Sequence, residues 1–371
     1  MPTVADIIRI MDQMAPRRLA EKWDNVGLHY GDTDWPVSTI FVSLDPTANA
    51  MEAAISANAD MLVTHHPLIF KPVTHIHTQT PVGRTIDLAA KNRIAVFCAH
   101  TNLDAAVGGL NDVLAEKIGL NVTGSLSAAP EVQRYKLVVF APPGDMDRIF
   151  DAVWKTSAGK IGSYSQCAFF SNGVGQFIPG SDSRPAAGTP GRLTRTDEAR
   201  IEIPVSREDI DDVIGRIKAS HSYETVSYDI YPLYEEESGE GLGRIGEFPE
   251  TRTLLEVAGA VKQALSLKVV KIAGSEGLAV KKAAVCSGGG TGMIGDFLAS
   301  DAQVYISGDL NHHVALDVAA SNRGLIDIGH FTSERLIVPV LAARIEAEAA
   351  KASLPVRVVP WNDEPDPFGY V

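Results

Sequence analysis

At 371 residues the chain is too long for a single hydrophobic core, so we expect two or three domains. Its 45% hydrophobic and 21% charged residues are typical of a folded globular protein, and no apolar run is long enough to span a membrane. The formal net charge of −13 disfavours binding to nucleic acid or to anionic lipid, because no basic patch offsets it.

The chain's start and its cysteines indicate a reducing compartment. Residues 1–6 lack the basic and apolar regions of a signal peptide, so we expect a cytoplasmic protein. Cys98, Cys167 and Cys286 are odd in number, far apart and outside any Cys-x-x-Cys spacing. We therefore interpret them as reduced core thiols rather than as metal ligands.

The first part of the chain alternates predicted helices and strands. Helices are predicted over 4–15, 47–58, 85–92 and 111–118, and buried strands over 39–44, 61–63 and 94–98. This βαβ order implies a parallel sheet with right-handed crossovers. In the turn at 23–28 we favour backbone capping by Asp24 and Asn25 over metal contact, and in the loop after the second strand we favour solvated or structural roles for His75 and His77.

Two of these strands end in side chains of the metal-ligand type. The run 59–63 stops at His65 and His66, and the strand 94–98 is followed by His100 and Asp104. Parallel strands bring their carboxyl ends to one edge of a sheet, where α/β proteins usually place their chemistry. Neighbouring strand residues point to opposite faces, so the histidine pair serves one centre only if the backbone is already leaving the strand; otherwise it serves two ions.

The middle of the chain has a different character. Strands are predicted over 136–140, 199–205 and 226–230, helices over 146–157 and 207–220, and a Gly-, Ser- and Pro-rich region over 177–192. This order fits a small α+β domain of ferredoxin-like type. The glycines between 239 and 246 then predict a flexible return to the main body.

The last part returns to alternating strands and helices. Strands are predicted over 269–272, 282–286, 303–306 and 325–328, and helices over 254–265, 314–320 and 330–347, with one more ending at 299. The glycine-rich segment 287–292 precedes the helix that ends at 299. Its pattern suits either an anion cradle or a tight structural turn.

Five residues in these patterns predict a metal site. His330 and Glu334 are four apart at a helix start and therefore share one face. With His65, His66 and Asp104 they supply three imidazoles and two carboxylates, enough for two divalent ions joined by a bridging carboxylate, either Asp104 or Glu334. Mixed nitrogen and oxygen ligands suit zinc, manganese or iron(II).

Three further residues are candidates for proton transfer or for orienting the ligands: His100, Asp309 and His313. A ligating imidazole normally needs an acceptor for its second nitrogen, and an acid/base step needs a titratable group next to the ions. Asp24 is a weaker candidate.

Several segments together resemble the signature of the Nif-three-like family, also filed as GTP cyclohydrolase I type 2 homologues. They are Trp23–Leu28, Thr64–Leu68, His100–Asp104, Ser307–Asp309 and Gly329–Glu334. The resemblance covers nearly the whole chain. It implies a dinuclear metal site of His65, His66, Asp104, His330 and Glu334, and a toroidal homohexamer with the metals facing an internal cavity.

The middle region resembles the inserted domain of the longer bacterial members, which is related to the trimeric PII and CutA signalling proteins. The matching pieces are Ile161–Ser165, Gly173–Phe177 and Tyr228–Leu233. The expected fold is therefore an α/β core in two halves, 1–128 and 248–371, with a ferredoxin-like α+β domain inserted over 129–247.

This chain departs from the family pattern in two places. Where many members have Gly-Asp-x-Lys-Tyr-His-Asp, residues 308–314 lack the lysine and the final aspartate, and Ser222 replaces a proline. Neither change touches the five expected ligands.

Two functions follow as expectations. The first is a metal-dependent hydrolase of a nucleotide-like substrate, by GTP ring opening or phosphoester cleavage. The second is a non-catalytic, metal-binding regulatory or scaffold hexamer that senses a small molecule through its inserted domain.

Overall fold

The computed structural model describes residues 1–129, 134–162, 164–234 and 239–369. The chain divides into two compact units, Met1–Ala129 with Gly239–Val371, and Pro130–Ser238. Ser163, part of one motif of the family resemblance, lies outside the described residues. In the described ranges no helix is both long and apolar enough to cross a membrane.

The first unit opens with five helices and five strands. In chain order they are α1 (Val4–Met14), β1 (Gly27–Tyr30), β2 (Thr39–Ser43), α2 (Ala48–Ser56), β3 (Met61–Thr64), α3 (Pro81–Asn92), β4 (Ala95–Cys98), α4 (Thr101–Ala105), α5 (Leu110–Lys117) and β5 (Asn121–Ala128). The second unit follows with β6 (Arg134–Ala141), α6 (Met146–Val153), β7 (Phe169–Phe177), β8 (Thr194–Ser206), α7 (Ile210–Ser220) and β9 (Tyr228–Pro232).

The chain then returns to the first unit. The remaining elements are β10 (Gly241–Thr253), α8 (Leu254–Ala264), β11 (Lys271–Ala273), β12 (Ala279–Gly289), α9 (Ile294–Ala299), β13 (Val304–Gly308), α10 (His312–Ala320), β14 (Gly324–Asp327), α11 (His330–Glu334), α12 (Ile337–Lys351) and β15 (Arg357–Pro360). These elements confirm the mixed α/β fold expected from the sequence.

One sheet of the first unit has the strand order β1-β4-β3-β2-β15. All neighbours pair in parallel except β1, which is antiparallel to β4. Val42 and Val63 pack with α1 and α12 on one face, whereas Phe41 and Leu62 pack with α2 and α3 on the other. Because both faces are buried, these strands are apolar throughout rather than alternating.

The other sheet of this unit has the order β11-β14-β13-β12-β10-β5. Its central strands β12, β13 and β14 are parallel, and antiparallel strands complete both edges. Val285 and Ile306 pack with α5 and α8, whereas Tyr305 packs with α9 and α10 on the opposite face. Both sheets of this unit therefore have parallel centres whose carboxyl ends carry loops.

The second unit contains a four-stranded antiparallel sheet in the order β7-β8-β6-β9. Along the chain its elements follow the order βαββαβ. In its hydrophobic core, strand residues such as Val139 and Ile201 pack with Ile149 of α6 and Val213 of α7.

Two differences from the sequence-based expectation have a clear physical cause. Three of the glycines expected to form a flexible return, Gly241, Gly243 and Gly246, belong to the 13-residue strand β10, which pairs with β5 and with β12. Gly241 fits there because a Cβ would overlap the backbone of β5, so these glycines permit close packing rather than flexibility. The helix expected over 330–347 is split into α11 and α12, and Pro339, which lacks an N–H to donate to the carbonyl of Arg335, explains the break.

Candidate metal centre

A cluster of histidines and carboxylates forms where parallel strands of both sheets of the first unit end. β3 ends at Thr64, directly before His65, and β4 ends at Cys98, shortly before His100. β13 ends at Gly308, directly before Asp309, and β14 ends at Asp327, shortly before His330. The strand ends and the short helices that follow them supply the cluster: His65 and His66 after β3, His100 and Asp104 after β4, Asp309 after β13, and His330 and Glu334 on α11.

Three donor atoms converge at the centre of the cluster. Glu334 Oε2 lies 2.9 Å from His66 Nε2 and 3.0 Å from His330 Nε2, and the two nitrogens are 3.4 Å apart. The oxygen is buried and has no hydrogen-bond partner among the described residues. Ligand atoms around a zinc ion at ordinary bond lengths are about 3.3 Å apart. These separations therefore suit atoms that share one cation, and the three residues form a group able to hold a metal.

The second oxygen of Glu334 faces a different set of donors. His65 Nε2 lies 3.7 Å from Glu334 Oε1 and 3.7 Å from Asp104 Oδ1. This nitrogen is also buried, and in the described chain it has no hydrogen-bond partner. The carboxylate of Glu334 therefore stands between two groups of nitrogen and oxygen donors.

The adjacent His65 and His66 both face the cluster, with ring centroids 5.2 Å apart. Strand β3 ends at Thr64, so the alternation of a strand no longer separates the two side chains. Together with His100 they form a second group of residues able to hold a metal. The backbone has left the strand at the histidine pair, which is the condition under which the two imidazoles can serve one centre.

Carboxylates fix the outer nitrogens of two of the imidazoles. His66 Nδ1 is 2.8 Å from Asp45 Oδ1, and His330 Nδ1 is 2.7 Å from Asp309 Oδ2. Such an acceptor sets the tautomer and aims Nε2 at the centre. Asp309 was expected near the site, whereas Asp45 was missed; the only sequence signal for it is its position just after strand β2.

His100 is held in a similar way by Asp24. Its Nδ1 lies 2.9 Å from Asp24 Oδ1, and the other oxygen of Asp24 accepts hydrogen bonds from the Thr101 N–H and hydroxyl at 3.1 and 2.5 Å. Burial of Asp24 favours its neutral form, but these bonds to His100 and Thr101 lower its pKa to about 2. Asp24 therefore positions His100, whose ring lies 5.1 Å from that of His65.

The charges at the centre are strongly coupled. Burial raises the pKa of Asp104. Burial acts in the same direction on Glu334, but the imidazoles of His330, His65 and His66 outweigh it and hold the pKa of Glu334 well below its usual range. Burial lowers the pKa of His66, yet Asp45 and Glu334 raise it to about 10. The negative charge of Glu334 is thus stabilised by the imidazoles around it.

The glycine-rich segment at the end of β12 packs directly against these acids. Gly288 has a φ of +62°, and a Cβ there would overlap Glu334 Oε1. Its N–H donates to Ser333 Oγ at 2.8 Å, and Ser287 Oγ donates to Asp104 Oδ1 at 3.2 Å. The described contacts of Ser287 and Gly288 are therefore structural ones that support Asp104 and Glu334.

Not every histidine singled out in the sequence belongs to the cluster. His313 is exposed on α10, and in the described part of the chain no hydrogen bond or ion pair joins it to the centre. His75 and His77 are exposed in the loop that precedes α3.

A cavity of about 530 Å³ opens beside the cluster. His66 and His330 line it together with their partners Asp45 and Asp309, and Lys271 and Phe368 contribute to its walls. The cluster therefore borders a space that admits a small molecule.

The fold and the site define an α/β protein with histidines and carboxylates gathered at strand ends. The chain matches the family Duf34/NIF3 (NGG1p interacting factor 3) over residues 2–367. It belongs to that family, which confirms the resemblance seen in the sequence.

Comparison with individual proteins agrees. The chain is 34% identical over 365 residues to a Bacillus subtilis protein named GTP cyclohydrolase 1 type 2 homolog, covering 98% of each chain. A Mycobacterium tuberculosis protein of the same name is 35% identical over 370 residues, covering 97% of this chain and 96% of the relative. The crystal structure of a Bacillus cereus protein related to NIF3 is 35% identical with a TM-score of 0.76, and a Staphylococcus aureus protein is 28% identical with a TM-score of 0.80. Both alignments cover 100% of this chain and 99% of the other.

Proposed function

We propose that this protein is a metal-dependent hydrolase with two divalent ions held by His65, His66, Asp104, His330 and Glu334. The observation that carries the proposal is a pair of buried atoms, Glu334 Oε2 and His65 Nε2, that have no hydrogen-bond partner among the described residues. Glu334 Oε2 has two imidazole nitrogens within 3.0 Å and no hydrogen-bond partner among the described residues. A buried polar atom without a partner is costly, and a cation would remove that cost.

The donor set would divide between two ions. His66, His330 and Glu334 would hold one, and His65, Asp104 and Glu334 would hold the other. Imidazole with carboxylate suits zinc, and also manganese or iron(II). Divalent ions lower the pKa of a bound water and so supply hydroxide as the nucleophile near neutral pH.

The chain's own residues would orient the reaction and move protons. Asp45 and Asp309 fix the tautomers of His66 and His330 through Nδ1 contacts of 2.8 and 2.7 Å. Asp24 fixes His100 in the same way, which leaves Nε2 of His100 to exchange a proton with water or with the leaving group.

GTP is the first substrate to test, because the curated relatives are named GTP cyclohydrolase 1 type 2 homolog. The cavity beside the cluster, about 530 Å³, falls in the size range of small-molecule sites. Phosphomonoesters and phosphodiesters form the second substrate class.

The test is turnover by purified protein loaded with Zn²⁺ or Mn²⁺. With GTP, ring opening would give a fluorescent pterin after oxidation; with phosphoesters, phosphate release would be measured. We expect His65→Ala and Glu334→Gln to abolish turnover while the oligomer remains intact. His75→Ala is the matched control, because His75 is exposed and outside the cluster.

The same variants test the alternative, a non-catalytic regulatory or scaffold hexamer. Metal-loaded protein that turns over none of these substrates would contradict the hydrolase proposal. Variants that lose metal and dissociate would favour a structural role for the ions.

We also propose that the second unit, which lies within the expected insertion 129–247, is an inserted ferredoxin-like domain related to PII and CutA proteins, between the two halves of the α/β core. The βαββαβ order and the sheet order β7-β8-β6-β9 of the second unit support this. The proposed assembly is a homohexamer, for which analytical ultracentrifugation should give a mass near six times 39.7 kDa.

A further inference from the structure

Two large aromatic side chains lie exposed beside the cluster. Trp23 is 59% exposed and Phe70 is 48% exposed. Their ring centroids are 5.9 Å apart with an angle of 64° between the planes, so the rings meet edge to face. Exposed aromatic pairs leave a large apolar area in water, and a flat molecule that covered them would bury that area.

The pair connects directly to the histidines of the proposed metal centre. The Trp23 ring lies 6.2 Å from that of His100, and the His100 ring lies 5.1 Å from that of His65. Phe70, Trp23, His100 and His65 therefore form a continuous row of rings from an exposed edge to a buried metal-ligand candidate. A molecule held on the outer rings would have its remaining atoms next to the cluster.

The two segments that carry the pair are fastened together. The Asn25 side-chain amide donates to the Ile69 carbonyl at 2.5 Å, and the Ile69 N–H donates to His29 Nδ1 at 3.2 Å. Within the first segment, His29 Nε2 lies 3.1 Å from the carbonyl of Asn25, which orients the ring that accepts from Ile69. The backbone next to both rings is thus fixed before any ligand arrives, which lowers the entropy lost on binding.

We propose that Trp23 and Phe70 form a stacking platform for a planar nitrogen heterocycle of the substrate. The proposal rests on the hydrolase function above, and it assigns to this pair the binding of the substrate's planar ring. Stacking accepts any flat ring with a π-face, so the platform would select the class of molecule more than one particular base.

The test measures binding rather than turnover. Zn²⁺-loaded protein is titrated with guanosine, adenosine and ribose by isothermal titration calorimetry. We expect both nucleosides to bind and ribose, which lacks the planar base, not to bind. Trp23→Ala should weaken nucleoside binding about 10- to 100-fold, and Trp23→Phe should retain most of the affinity. Tyr234→Ala is the control, because Tyr234 is 93% exposed and belongs to the second unit.

Metal content and assembly size separate this role from a structural one. Trp23→Ala should keep wild-type zinc content and sedimentation. Absence of nucleoside binding to the wild type, or unchanged binding in Trp23→Ala, would overturn the proposal, as would dissociation of the oligomer with nucleoside affinity preserved.

The proposal and the hydrolase function fail in different ways. If no substrate is turned over, nucleoside binding that still depends on Trp23 would uphold the platform. If metal-dependent turnover is found but neither nucleoside binds, the platform alone is rejected.

Discussion

Gly288 offers the sharpest test of the proposed centre, because it supports Glu334 without binding metal itself. Its φ of +62° lies in the left-handed region, which costs a residue with a Cβ about 1–2 kcal/mol. The Cβ of Gly288→Ala would also overlap Glu334 Oε1, and the buried carboxylate would have to move. Changes to groups that orient metal ligands typically lower metal affinity about 10- to 100-fold. We therefore expect Gly288→Ala to lower zinc affinity about 100-fold, or about 2.7 kcal/mol.

The assay is a zinc titration in competition with a chromophoric chelator. Gly289→Ala is the matched control: Gly289 has a φ of −85°, and among the described residues the atom nearest to its added Cβ, apart from its chain neighbours, is 3.9 Å away. We expect Gly289→Ala to keep the wild-type affinity for zinc. Wild-type zinc affinity in Gly288→Ala, or equal losses in both variants, would refute the proposed role of Glu334.

Other side chains give predictions of different kinds. Asp309→Asn should lower zinc affinity about 10- to 100-fold in the same titration, because it weakens the acceptor that orients His330; unchanged affinity would contradict this. Arg244 is buried and bonded to Asp112 and three carbonyls, so Arg244→Ala should cost about 3–5 kcal/mol in urea unfolding, and a loss below 1 kcal/mol would argue against its role. The pKa of Asp24, about 2, lies below its ordinary 3.8, so its stabilising contribution is complete above about pH 4 and is lost as pH falls through 2. The difference in unfolding free energy between wild type and Asp24→Asn should shrink over that range, and a constant difference would reject the assignment.

Local patterns in the sequence determined which side chains stand at strand ends. An apolar run followed by His65 and His66 marks the end of a buried strand, and the spacing of His330 and Glu334 marks one face of a helix. These features depend only on residues near in sequence, so they can be identified without the fold.

Tertiary structure alone decided how the side chains pair. His66 and His330 are 264 positions apart, yet their Nε2 atoms are 3.4 Å apart, and Asp45 reaches His66 from the end of another strand. Likewise, the glycines of β10 have the composition of a loop, but pairing with strands on both sides makes them a strand. Sequence periodicity reports how each segment meets its immediate neighbours, whereas partner choice depends on the packing free energy of the whole chain.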